Sequence, residues 1–447
     1  MYSSDYFKGK KITVMGLGLL GRGIGITKFL AEHGALLTVT DLKTKEELAP
    51  ALEKLAELKN ITYVLGEHRL EDFSKADMVI RAPNAPLDSI YLAEARKNNV
   101  PIKMDASLFA ELVPEDVTLI GVTGTRGKST AVQLVYEMLK LAGKSVYLGG
   151  NVRDTATLPL LDIVKSGDYV VLELDSWQLQ GFDEDKVSPT IAVFTSFFPD
   201  HLNYYAGDMQ RYWHDKASIF RHQKPGDKLI VSTQIQTEMW KHGESRKLDA
   251  IADVANVSDW KIRMRGEHNK LNVTLARETA KLLGVNDDVI KKVAESFGGL
   301  PGRQEIVGEA NEVLYVNDTN GTSPEAVMAA LESFSDYKGK IILLCGGFDK
   351  GLDYRELVAK FPEYLKALIL FKGTASDKIE WEIGVGSWEI GKFVNMSTMH
   401  EAFAKAQELA KPGDVVLLSP GAASFGIFKN EYDRGDQFIA EVKAVKP

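Results

Sequence analysis

The chain has 447 residues, room for about three domains at roughly 150 residues each. Its 54 Lys and Arg stand against 62 Asp and Glu, a net charge of −8 without a basic cluster, so there is no electrostatic case for a nucleic-acid partner. No apolar run approaches about 18 residues and MYSSDYFKGKK lacks a signal-peptide core, which reads as a cytoplasmic protein without membrane insertion; a single cysteine, Cys345, excludes an internal disulfide.

In chain order, KITVMG (11–16) predicts a strand, followed by a helix from about Gly21 to His33 and a strand LLTVTD (36–41). ADMVIRAP (76–83) is a further strand, stopped by proline. VTLIGVTG (117–124) leads into a helix from about Lys128 to Ala142, and KSVYLGG, DYVVLELD and TIAVFTSF continue the strand series. After residue 303 the strands are VLYVND, KIILLCGG, ALILF and DVVLLSPG. Near-continuous apolar strands alternating with helices imply an α/β fold of buried parallel sheets. The expected division is a Rossmann-like domain over 1–106, a central sheet of the P-loop ATPase kind over 107–302, and a Rossmann-like domain over 303–447. LPGRQ (300–304) serves as linker.

Two strand-to-helix turns are rich in glycine. In the first, Gly16, Gly18 and Gly21 permit a tight turn at a helix N-terminus, and Asp41 closes the next strand where a ribose-binding acid sits in dinucleotide folds. Taken alone, this suggests NAD; tight helix–strand packing accounts for the same glycines. In the second, GVTGTRGKST (121–130), Gly124 and Gly127 let backbone N–H groups face a phosphate, Lys128 adds a point charge, and Ser129 is placed to ligate Mg²⁺. Val122 stands where the usual P-loop pattern has its first glycine.

Glu173 and Asp175 end one strand of the same segment, and Asp200-His201 follows another. Glu173 and His201 are therefore metal-ligand candidates, with a structural histidine as the alternative. In DMQRYWHDKASIF, helical spacing sets Lys216 on one face with Tyr212, Ile219 and Phe220. A lysine on an apolar face snorkels to solvent, is paired, or is chemically converted. In the last segment VNDTNGTSPEA, CGGFDKG and LSPGAASFGIFKNEYDRG each follow an apolar strand, so Asp318, Lys350 and Ser424 should share one rim, suited to a small carboxylate. Cys345 reads as a small buried hydrophobe.

The succession GLGxxG, GTxGKST, GGN, LELxSxQ, DH, a helical lysine, GEHN, LPxR, ND, GG and LSP resembles the Mur ligases over essentially the whole chain. The resemblance implies that the first loop holds a UDP-linked sugar rather than NAD, through Gly16, Gly18, Leu19, Leu20, Asp41, Lys43, Asn84 and Asn151. It implies ATP binding by Gly124, Thr125, Arg126, Gly127, Lys128, Ser129, Thr130, Asn269, Arg303 and Asp318, and amino-acid binding by Thr322, Lys350, Ser424 and Phe425. Ser129, Glu173, His201 and a carbamylated Lys216 would ligate magnesium, two ions in all. Lys128, Lys216, His201 and Glu173 would be catalytic. The implied reaction adds D-glutamate to UDP-N-acetylmuramoyl-L-alanine through an acyl phosphate, in peptidoglycan precursor synthesis, by a monomer. Members that add L-alanine or L-glutamate are the near alternatives, and an NAD-dependent oxidoreductase is the distant one. Arg126, Asp175, Asn320, Asn84 and Glu431 depart from the family pattern.

Overall fold

The computed structural model describes residues 3, 5–19, 21–86, 88–152, 155–201, 204–385 and 391–445. Three sheets organise it. The first contains β1 (Lys11–Met15), β2 (Leu36–Asp41), β3 (Ile61–Leu65), β4 (Met78–Arg81) and β5 (Ile102–Lys103). All pairs are parallel, in the order β3-β2-β1-β4-β5. The chain moves outward from β1 to β3 and returns on the far side at β4. The turns after β1 and β4 therefore flank the crevice where such sheets bind ligands.

The second sheet contains β6 (Thr118–Thr123), β7 (Val146–Gly150), β8 (Tyr169–Glu173), β9 (Ile191–Phe194), β10 (Lys228–Ser232) and β11 (Ala250–Ala252). It is also parallel, in the order β11-β10-β9-β6-β8-β7. β6 lies between β8 and β9, with Val122 opposite Glu173 and Thr123 opposite Phe194. These two sheets belong to one compact unit, residues Met1–Asp200, Asp208–Asn256 and Leu271–Val293.

The other unit, His201–Gly207, Val257–Lys270 and Ala294–Pro447, holds the third sheet. Its strands are β12 (Glu305–Ala310), β13 (Val313–Asn317), β14 (Ile341–Gly346), β15 (Leu365–Phe371), β16 (Gly391–Met396) and β17 (Val415–Leu418). The order is β12-β13-β17-β14-β15-β16, with β12 antiparallel to β13 and the other pairs parallel. Leu343 and Cys345 of β14 pack with Leu357 and Phe361 on one face; Ile342 and Leu344 pack with Phe403 and Phe438 on the other. Alternate residues entering two different cores explain why IILLC is apolar throughout.

Every strand expected from the sequence is present, and the helices expected at 21–33 and 128–142 run over Arg22–Glu32 and Lys128–Leu141. The chain adds β3, β5, β10, β11, β12 and β16. β12 forms a hairpin with β13 through Asn311 and Glu312, both at positive φ, a turn geometry matching strand twist. The expected division at 106/107 falls inside a helix, Asp105–Leu112. Among the described residues no helix is long and apolar enough to cross a membrane.

Candidate active site

The turn after β6 is built by what its glycines lack. Gly124 has φ +146°, and a Cβ there would collide with Thr195 Oγ1; Gly127 is left-handed at φ +83°, and a Cβ would strike Asn272 Oδ1. The end of β9 ties the turn down. Thr125 N donates to Ser196 O at 2.7 Å and Arg126 N to Ser196 Oγ at 2.9 Å. Arg126 O accepts from Ser196 Oγ at 3.0 Å and from Thr195 Oγ1. The helix Lys128–Leu141 then starts without a side-chain cap or an acidic residue in its first turn. Its leading N–H groups and positive dipole end form an anion site held in place before any anion arrives. Lys128 folds back over it, Nζ donating to Gly124 O at 2.9 Å and Thr125 O at 3.1 Å.

Lys216 meets the same carbonyl. Asp208 caps its helix, Met209–Arg221, accepting from Gln210 N at 2.9 Å and Arg211 N at 3.0 Å. Tyr212, Lys216, Ile219 and Phe220 are all buried, as the helical spacing requires. Lys216 is 2% exposed, so it does not snorkel; Nζ donates to Gly124 O at 2.8 Å and lies 5.0 Å from the centre of the Tyr212 ring. Burial, then the charge of Lys128, holds its pKa well below the ordinary lysine value, against the opposing pull of Asp175, Asp200 and Asp215. Two amines thus converge on one carbonyl, 88 residues apart in sequence (216 − 128).

Glu173, buried at the end of β8, carries the neighbouring backbone with it: Asn151 N donates to Glu173 O at 2.7 Å. Asp175 caps the helix Ser176–Asp185 in a reciprocal box, Gln178 N to Asp175 Oδ1 at 2.8 Å and Asp175 N to Gln178 Oε1 at 3.2 Å.

In the first glycine turn, Gly16 has φ +92° and a Cβ there would lie 2.9 Å from the Ala82 Cβ. Asp41 is buried, and its two oxygens accept from Gly18 N at 3.0 Å and Lys43 N at 2.9 Å. The acid braces the turn. Asp41→Ala frees it, and losing about 1.4 kcal/mol of preorganisation raises the Kd for a ligand of that turn about tenfold, with binding at the 124–127 turn unchanged in the same calorimetric assay. Leu19 and Asn84 are exposed beside this turn, as is Lys43; Leu20 lies outside the described residues. Arg22, which the sequence reading passed over, donates through Nη2 to Asn151 Oδ1 at 2.8 Å and Gly150 O at 3.3 Å. It links the helix of the first turn to the loop after β7. Its Nε is buried with no hydrogen-bond partner among the described residues.

In the second unit, His201 sits at φ +52° and its carbonyl accepts from Tyr204 N at 2.9 Å and Tyr205 N at 3.1 Å. Asn269 is buried, its Nδ2 donating to Arg265 O at 2.8 Å. Asp318 joins two strand ends and the 300–304 turn, accepting from Ser419 Oγ at 2.7 Å and from Gln304 N, next to Arg303, at 3.2 Å. The three loops after β13, β14 and β17 do share one rim. Gly421 N donates to Gly321 O at 2.8 Å, Phe348 and Ala423 exchange backbone bonds at 2.9 and 3.0 Å, and Lys350 Nζ reaches Thr322 Oγ1 at 3.2 Å. Ser424 is buried, whereas Phe425 is 63% exposed, edge-on to Phe348 at 6.2 Å. Asn320 uses its backbone N to bond Gly302 O at 3.0 Å.

Arg434 is the residue on this rim that the sequence did not announce. Fully buried, it donates to Thr319 Oγ1 at 3.0 Å, Thr319 O at 2.8 Å and Ala422 O at 3.3 Å. Burial pushes its pKa down to about 10, so it stays charged at neutral pH. Arg434→Met leaves those acceptors unmet and lowers stability by about 3 kcal/mol, read as a fall in the urea midpoint.

Residues 10–103 match the family model for the Mur ligase MurD-like N-terminal domain, 122–254 that for the Mur ligase middle domain, and 302–421 that for the Mur ligase glutamate ligase domain. The UDP-N-acetylmuramoylalanine--D-glutamate ligase of Roseiflexus sp. (strain RS-1) is 36% identical, over 96% of this chain and 97% of its own. The chain belongs to the Mur ligase family. A ligase of the same name from Borreliella afzelii (strain PKo) is 33% identical over 97% of this chain and 98% of its own. Among solved structures, the MurC UDP-N-acetylmuramate-alanine ligase of Thermotoga maritima superposes with a TM-score of 0.64 at 18% identity, over 98% of this chain and all of that one, a likeness of fold. The three α/β domains are thus those of a Mur ligase.

Among the described residues of this Mur ligase, no group of three or more His, Cys, Asp or Glu is placed to hold a metal. Magnesium does not require one, because it binds through one or two carboxylates together with nucleotide phosphates and water. The Glu173 carboxylate and the Ser129 hydroxyl, on the strand and helix flanking the 124–127 turn, are oxygen donors of the kind such an ion takes.

Proposed function

We propose that this chain is an ATP-dependent ligase that joins D-glutamate to UDP-N-acetylmuramoyl-L-alanine, releasing ADP and phosphate, in peptidoglycan precursor synthesis. The observation that carries the reading is the turn at 124–127, closed to side chains, leading into an uncapped helix N-terminus and met by two lysine amines on the Gly124 carbonyl. The choice of D-glutamate is supported by the names of relatives that match from end to end.

The 1–106 segment holds the UDP end, through the first turn (Gly16, Gly18, Leu19, Leu20), Asp41, Lys43 and Asn84, with Asn151 nearer the chemistry. This static handle contributes binding energy that places a distant carboxylate for attack. The 107–302 segment binds ATP at residues 124–130 and Asn269. Arg303 and Asp318 add nucleotide contacts, and Thr322, Lys350, Ser424 and Phe425 receive the amino acid in the 303–447 segment. The L-alanine carboxylate attacks the γ-phosphorus, the bond to ADP breaks, and an acyl phosphate forms. The amine of D-glutamate then attacks the acyl carbon, loses a proton and expels phosphate. Carboxylate and triphosphate repel each other, and Lys128 with the helix N-terminus offsets that repulsion. Ser129, Glu173 and His201 would hold magnesium, which when bound would supply further charge neutralisation on the phosphates. Lys216 would take up CO₂, its neutral amine forming an N–C bond and shedding a proton to become a carbamate anion, whose oxygen would serve as a donor to a second magnesium ion. The protein acts as a monomer in the cytoplasm.

A panel of amino acids with both UDP-N-acetylmuramate and its L-alanyl derivative tests the reading by phosphate release. Turnover is expected only with ATP, the L-alanyl substrate and D-glutamate together. Turnover with L-alanine and the bare UDP-sugar, and none with D-glutamate, replaces it with the L-alanine-adding activity.

A further inference from the structure

Arg81 closes β4 opposite Met15 of β1, and its side chain is fully buried. Its Nη2 donates to Gln180 Oε1 at 3.2 Å, and Gln180 Nε2 donates in turn to Asp215 Oδ2 at 2.7 Å. Gln180 lies in the helix Ser176–Asp185, and Asp215 precedes Lys216 in Met209–Arg221. All three residues are buried. Glu184 Oε2 lies 3.8 Å from Arg81, and His214 Nδ1 3.7 Å from Asp215 Oδ1.

The order of this chain is fixed by chemistry. Arginine only donates, an ionised aspartate only accepts, and the glutamine between them must present its carbonyl to one and its amide to the other. Burying such groups is costly, and apolar burial of the two helices does not call for it, because each already buries apolar side chains, Leu179 and Phe182 on one, Ile219 and Phe220 on the other. What the polar chain adds is a fixed span from the strand end leading into Ala82–Asn84 to the helix that carries Lys216. Moving that helix by one residue would rotate Lys216 about 100° away from Gly124.

We propose that Arg81, Gln180 and Asp215 are positioning residues that hold the helix Met209–Arg221 in the register at which Lys216 reaches the Gly124 carbonyl. The turnover arm of the test rests on the ligase reading; the structural arm does not. In the full-length chain, Gln180→Met, close in size and unable to bond at either end, lowers kcat roughly 10²-fold while the KM for ATP stays within about threefold. Asp215→Asn keeps an acceptor in place and retains kcat within about threefold, whereas Asp215→Leu behaves like Gln180→Met. A triple variant, Arg81→Met with Gln180→Met and Asp215→Leu, replaces the polar chain by apolar side chains and recovers melting temperature but not kcat. The proposal is overturned if Gln180→Met and Asp215→Leu keep wild-type kcat, or if the triple variant regains kcat along with stability. A crystal structure of Gln180→Met decides independently of turnover. Displacement of Lys216 Nζ from Gly124 O supports the positioning role, and an unmoved bond overturns it. A wild-type chain that releases no phosphate with the full substrate set overturns the ligase reading and leaves the structural arm standing.

Discussion

Lys128→Ala abolishes phosphate release, with kcat down by roughly 10³-fold or more, while calorimetric affinity for the UDP substrate is unchanged. The size follows from what the ammonium does. It is the point charge at the head of an uncapped helix, and its bonds to Gly124 O and Thr125 O hold it across the mouth of the turn. Removing a single neutral donor to a developing charge costs roughly 10²–10³ in rate, and here a full positive charge is lost against a triphosphate. The turn itself survives: its shape depends on Thr195, Ser196 and the two glycines, and Lys216 still donates to Gly124 O. The first glycine turn is braced separately by Asp41, so the two affinities separate. Lys128→Arg does not restore the rate, because a planar fork cannot replace a compact ammonium bonded to two adjacent carbonyls. Turnover of Lys128→Ala within tenfold of wild type would falsify the assignment of the 124–130 turn as the triphosphate site.

Much of this was legible because local chemistry and tertiary structure agree. Gly124 and Gly127 announce a turn that no side chain can enter, and Lys128 marks the helix start to the residue. The face shared by Tyr212, Lys216, Ile219 and Phe220 is a matter of helical period, and the structure buries all four. The capping box Asp175-Ser-Trp-Gln178 is also a local signal that needs no tertiary information. What escaped depends on partners far along the chain. Nothing near Arg434 indicates that it will bond Thr319, 115 residues away. Nothing near Arg22 points to Asn151, 129 residues away. Asp41 could be placed at a strand end but not given its role, because whether a carboxylate faces a ribose or two backbone amides depends on the path of a neighbouring loop. The edge strand β12 escaped for a different reason: EIVGEA is half exposed and carries no clean alternation, so its pairing partner reveals it and its composition does not.

Lys216→Ala loses about 10²–10³-fold in kcat and is partly rescued by formate or acetate, whereas Lys216→Met loses as much and is not rescued. The contrast rests on the geometry around Gly124 O. Two ammonium ions on one buried carbonyl repel each other where little water screens them, so the cationic form of Lys216 is disfavoured. Burial favours the neutral amine, the form that can attack CO₂, and the proposed carbamate would be an anion facing Lys128 instead of a second cation. Alanine leaves a cavity of the right depth for a small carboxylate to stand in for that anion; methionine fills the cavity and offers no oxygen. The linkage has a definite sign. Because the folded pKa lies below the unfolded value, the unfolded chain takes up a proton that the folded chain refuses, and stability falls as pH drops from about 10.5 toward the depressed value. Lys216→Met removes that penalty, so in CO₂-free buffer at neutral pH it melts at or above the wild-type temperature while remaining inactive. Equal rescue of the alanine and methionine variants by acetate, or full activity in either without it, would show that the amine serves only to fill space beneath the turn.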